Sequence, residues 1–213
     1  SSKCDALWEG EKPVEQIREA IREDVHSRVG SDAPVVFVST KTRDGLGELQ
    51  TAIYERLEPA RGARYAFAAK AYTQDALDKK RDAAKRKITF HAGLSAANAL
   101  NPIPGADAAV DLGILHKCFS EIRDAFGLTQ EMLESPQVVS FAGPVANRVL
   151  ALFTTDGILA LLKQVVGRQA TKSVAKYIPF VGPVIAGLAG FAIVKTAGNY
   201  YVDDCHEVAA VYM

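Results

Sequence analysis

Val35-Val36-Phe37-Val38-Ser39-Thr40-Lys41-Thr42-Arg43-Asp44-Gly45-Leu46-Gly47-Glu48-Leu49 is the stretch whose reading decides the fold of the first part of this chain. Four apolar residues in a row follow Ser31-Asp32-Ala33-Pro34. A short apolar run bounded by turn formers is the pattern of a strand buried on both faces, as in a parallel sheet. Upstream, Val14, Ile17, Ile21 and Val25 recur at helical spacing over residues 13–28. Pro13 suits the first turn of that helix and Gly30 its stop. Downstream, Leu46, Leu49, Ile53 and Leu57 share one face of a second helix. Helix, buried strand, loop and helix form the back end of a doubly wound sheet. One strand makes no sheet, so the remaining strands are expected upstream of Ser1.

Composition separates this part from the rest. The chain has 213 residues and a formal net charge of zero, which gives no whole-chain argument for nucleic acid or acidic partners. Residues 1–60 carry twenty charged side chains, whereas the longer stretch 140–213 carries ten. Cys4, Cys118 and Cys205 are few, odd in number and far apart. They suggest neither a disulfide framework nor a zinc site, and a reducing compartment is expected. No signal-peptide pattern opens the sequence.

Beyond Pro59 the periodicity is helical. The paired prolines of Asn101-Pro102-Ile103-Pro104-Gly105 break it. It resumes over residues 106–126, with Val110, Ile114, Cys118 and Ile122 four apart and Gly127 as the stop. Pro136 and Pro144 are expected to punctuate again. One or two apolar helices are expected around Asp156-Gly157, and a last helix from about residue 183 to 212.

Two short motifs carry chemistry. Ser2-Lys3-Cys4-Asp5 resembles the fourth G-domain motif, Asn/Thr-Lys-x-Asp. A carboxylate there accepts hydrogen bonds from the guanine N1–H and exocyclic amino group, a donor pair adenine lacks. The lysine methylenes cover the purine face. Some thirty-five residues on, Val38-Ser39-Thr40-Lys41 resembles the fifth motif, Ser-Ala-Lys, in which a backbone N–H meets the guanine O6. Thr40 stands where Ala is usual, and a backbone donor survives that change. Asp44-Gly45-Leu46-Gly47-Glu48-Leu49 is similar to the run that opens the last helix of many G domains. Taken singly, each motif also reads as ordinary structure: a solvated turn at Lys3 and Asp5, and a strand exit with Asp44 as a helix cap. Their order, spacing and context favour the guanine reading.

Three further segments narrow the family. Asn101-Pro102-Ile103-Pro104-Gly105-Ala106-Asp107, Phe126-Gly127-Leu128 and Tyr177-Ile178-Pro179-Phe180-Val181-Gly182-Pro183-Val184-Ile185-Ala186 resemble the helical domain of immunity-related (interferon-inducible) GTPases. The resemblance implies an α/β remnant of a P-loop GTPase G domain over residues 1–59. A mainly α-helical domain would follow over 60–213, so that the chain is predominantly α. It implies guanine contacts from Lys3, Asp5, Ser39, Thr40 and Lys41, with GTP or GDP and Mg²⁺ bound by the complete protein. It also implies cytoplasmic GTP hydrolysis in cell-autonomous defence, on or near intracellular membranes, with self-association through the G domain. This chain has no Gly-x-x-x-x-Gly-Lys-Ser/Thr. Nothing in it cradles the β/γ-phosphates, so it should be inactive alone. A non-catalytic helical module, binding a membrane or a partner and keeping a vestigial G domain, is the alternative.

Residues 179–194 carry no charge, yet sixteen helical residues span only about 24 Å against about 30 Å of hydrocarbon. A buried core helix is favoured over insertion. Residues 61–87 hold nine Lys/Arg against three Asp, with Lys79, Lys80, Arg81, Lys85, Arg86 and Lys87 clustered. That cluster reads as a solvated helix face or as a lipid-facing one. No recognition fold for nucleic acid accompanies it. Trp8, Tyr200 and Tyr201 read as packing residues, and His116 as a core histidine rather than a metal ligand.

Overall fold

The structure is a computed structural model that describes residues 13–98, 106–169 and 187–213. Its helices are α1 (Val14–Val29), α2 (Leu46–Arg56), α3 (Pro59–Ala68), α4 (Gln74–Asn98) and α5 (Ala106–Phe126). They continue as α6 (Gln130–Leu133), α7 (Pro136–Ala151), α8 (Thr155–Gln169) and α9 (Gly187–Val211). Tyr201, Val202, Cys205 and Val208 of α9 are buried, and the helix packs on α4, α5, α7 and α8. Its longest contact is with α4, which runs antiparallel to it. Arg81 of α4 pairs with Asp203, and Ile88 lies against Gly198. A Cβ at Gly198 would come within 2.5 Å of the Ile88 side chain, so the missing side chain sets how closely the two helices approach. Phe119 of α5 stacks on Tyr201 with ring centroids 4.5 Å apart. Cys118 and Cys205 are free thiols in this core. Burial pushes both thiols up, Cys118 to about 12.

Polar contacts stitch the bundle at its surface. Arg148 of α7 makes a two-pronged pair with Asp204, Nε to Oδ2 at 2.9 Å and Nη2 to Oδ1 at 2.6 Å. His206 meets Asp78 at 2.7 Å, which holds that carboxyl below its ordinary value. Helix α5 ends in a Schellman turn. Gly127, at φ 72°, donates to Asp124 O, and Leu128 donates to Arg123 O.

Several expectations are corrected. The strand at residues 35–38 does not form, and no strand exists among the described residues. An apolar run specifies burial but not the length of a ladder, and in this segment only Ser39, just after the run, sits in a β-bridge. Phe37 is instead covered by α1, with the Arg18 and Arg22 guanidiniums 5.6 and 5.7 Å from its ring centroid. The described residues are therefore mainly α. Pro144 punctuates as expected: α7 is two helical segments joined across a kink at Ala142 (φ −139°), two residues before the proline. Pro136 starts that helix, in the first-turn position where its missing N–H is not needed. Of the tyrosine pair only Tyr201 is buried; Tyr200 is exposed because it lies off the α9 core stripe. His116 is exposed too, with Nε2 3.2 Å from Phe153 O. Trp8, the break at 101–105 and residues 179–186 lie outside the described residues. Among those described, no single helix is long and apolar enough to cross a membrane.

Candidate functional site

The loop at residues 39–45 is tied back on itself. Ser39 is 1 % exposed; its N–H donates to Asp44 O at 3.0 Å, and its Oγ accepts from Thr42 N at 3.1 Å. Thr42 Oγ1 donates to Asp44 Oδ2 at 2.6 Å. Arg43 adopts φ 68° and Gly45 φ 71°. A side chain at Gly45 would collide with the Phe37 carbonyl, so glycine is required there on two counts. The buried serine and these bonds hold Thr40 and Lys41 at an exposed crest. Leu49 donates to Gly45 O, so α2 grows directly out of the loop. Of the five residues expected to contact guanine, Ser39, Thr40 and Lys41 share this loop, while Lys3 and Asp5 lie outside the described residues.

Helix α2 fastens the loop to the bundle. Gln50 is buried; its Nε2 donates to Lys70 O at 2.8 Å, and its Oε1 accepts from Tyr72 N at 3.3 Å. Both bonds reach the link between α3 and α4. Gly47 lies so close to Thr73 that a side chain there would collide with it.

The basic cluster is not one face. Lys80 is corrected outright: it is 2 % exposed and faces the core, not a lipid surface. It sits three residues after buried Leu77 and four before buried Ala84, on the same stripe as Ile88. Its Nζ donates to Phe67 O at 2.5 Å and Ala125 O at 2.7 Å, in the last turns of α3 and α5. An ammonium is well placed on such orphan carbonyls. Burial lowers its pKa to about 8. Arg81 and Lys85 both reach Asp203, at 2.6 and 2.8 Å. Burial alone would raise the Asp203 carboxyl, but the bonds from Arg81 and Lys85 outweigh it and the net shift is downward. Lys87 pairs with Glu121 at 2.6 Å and Lys79 with Asp75 at 2.6 Å. Arg86 is exposed.

Beside the loop lies a cleft of about 440 Å³, bordered by Arg43, Lys70, Tyr72, Lys80, Phe126 and Met132. It was not legible beforehand, because its lining comes from four separate parts of the chain. The only available signal was Lys80 falling on an apolar stripe. Among the described residues no group of three or more His, Cys, Asp or Glu could hold a metal ion. Comparison of the chain with protein-family models, with curated proteins and with solved structures finds no match.

Proposed function

We propose that this chain is the guanine-reading end of a G domain joined to a helical domain, of the immunity-related GTPase type. The complete protein would bind GTP or GDP with Mg²⁺ and hydrolyse GTP in the cytoplasm, in cell-autonomous defence at intracellular membranes. The observation that carries the reading is the loop at residues 39–45. Its buried serine bonds back to the loop amide of Thr42, its crest carries Thr40 and Lys41, and a helix follows at once. A backbone amide at such a crest is a fit donor for a purine carbonyl. In this reading Ser39 supports the loop, Thr40 or Lys41 supplies the amide, and Asp5 accepts from the guanine edge while Lys3 covers its face. The phosphate-binding residues and Mg²⁺ ligands belong to sequence this chain does not contain.

Two-dimensional NMR of the chain during millimolar titration with GMP and with AMP tests this directly. GMP is expected to shift the Thr40 and Lys41 amides selectively, and Asp5→Asn to remove the selectivity. Equal responses to the two nucleotides, or none to GMP, would reject the proposal. The non-catalytic helical module stays as the second reading. It is favoured by the distribution of the main core cluster, which runs from Leu77 to Ala209 and takes nothing from residues 13–59.

A further inference from the structure

The cleft beside the loop points to a ligand of its own. Its cationic side is made by Arg43 from the loop and Lys70 from the α3–α4 link, both exposed. Among the described residues neither has a carboxylate partner. The backbone carbonyls nearby are already engaged. The Phe67 and Ala125 carbonyls accept from Lys80. The Val211 carbonyl at the end of α9 accepts from Gln137 Nε2 at 2.9 Å. Asp124, which also borders the cleft, lies 3.5 Å from the Arg123 guanidinium. Lys80 uses two of its three ammonium donors on carbonyls and borders the cleft itself. The remaining walls are apolar or aromatic: Leu77, Tyr72, Phe126, Met132 and Tyr212. The volume falls within the range of roughly 300–1,000 Å³ that small-molecule sites occupy, and such sites pair apolar walls with a few convergent polar groups.

We infer that this cleft binds a small anion carrying an apolar, preferably aromatic, body, with the anionic group held by Arg43 and Lys70 and the body against Phe126 and Met132. The inference goes beyond the nucleotide reading and does not depend on it. The anionic group attracts two flexible cations at the rim. The apolar body displaces water from walls that offer it few hydrogen bonds, which is where most of the affinity arises. An inorganic anion lacks the second contribution and a neutral aromatic lacks the first. A free metabolite and a lipid with a small headgroup share this chemistry.

Isothermal titration with naphthalene-2-sulfonate, 2-naphthol and inorganic phosphate reads it out, with NMR to place the site. Saturable binding of the sulfonate is expected, shifting the Tyr72, Gly127 and Met132 amides, with 2-naphthol and phosphate each at least tenfold weaker. Arg43→Glu combined with Lys70→Glu should weaken the sulfonate at least tenfold; both side chains are exposed, so the core is untouched. Ala71→Phe should abolish binding by filling the cleft while leaving its charge unchanged. Displacement of the sulfonate by phosphatidylserine vesicles, but not by phosphatidylcholine vesicles, would identify the anion as a lipid's. Retention of the sulfonate would identify it as a free solute. No saturable binding at millimolar sulfonate, equal binding of 2-naphthol, or indifference to the charge reversal would overturn the inference.

Discussion

Lys80 shows how one side chain can escape a reading of its neighbours. Between Lys79 and Arg81 it looks like part of a basic face. Counted from Leu77, Ala84 and Ile88 it belongs to the core stripe, and the structure buries it there. Charge density was legible in the sequence, but the rotation of α4 that sorts the charges was not. Replacing Lys80 by Met leaves the Phe67 and Ala125 carbonyls without their donor while removing a buried charge. We expect a net loss of about 1–3 kcal/mol at neutral pH, measured by urea unfolding. The pH dependence has a definite sign. The native pKa of about 8 lies below the ordinary 10.5, so between these values the unfolded chain binds more protons. The contribution of Lys80 to stability therefore rises with pH across that window. The Met variant should lack this rise, so its deficit should widen from about pH 8 to about pH 10.5.

At the scale of elements, the helices were largely legible because their apolar periods, their glycine stop at Gly127 and their proline start at Pro136 are local signals. The strand at residues 35–38 was not, because a four-residue apolar run carries no period with which to choose between strand, helix and coil. Pro144 was legible as a local break, and α7 is kinked at Ala142 just before it, while packing holds both halves in place, with Val138, Val145, Ala146 and Val149 all buried. The α4–α9 interface is the most demanding of the contacts. Ile88 is fully buried and β-branched, so it has little room to yield. Gly198→Ala should cost about 1–3 kcal/mol. Ile88→Val should cost less in the Gly198→Ala background than in the wild type, because it removes a methyl from the crowded contact. A double-mutant cycle by chemical denaturation measures that coupling, and simple additivity would show that the two positions do not press on each other.

Across the whole molecule, the loop at residues 39–45 and the bundle are joined through α2, and Gln50 is the polar part of that joint. Both of its bonds go to backbone groups twenty or more residues away. Gln50→Leu keeps the apolar stem and removes both bonds. It should cost about 1–3 kcal/mol and speed amide exchange at Tyr72, read by hydrogen exchange. Little of this arrangement could be foreseen. Ser39, Thr40 and Lys41 are consecutive, so their sharing one loop follows from the sequence alone, whereas the bonds that tie the loop back on itself do not. The cleft beside them depends on the ends of α3, α5 and α9 meeting, which no local pattern encodes.

The two buried thiols give this molecule a built-in clock. Cys118 and Cys205 are both closed off from solvent, and each thiol is held in its unreactive protonated form. An alkylating reagent can reach them only when α5 or α9 swings away from its neighbours. The rate at which mass is added at these two positions therefore counts how often the bundle opens under conditions in which nearly every molecule is folded.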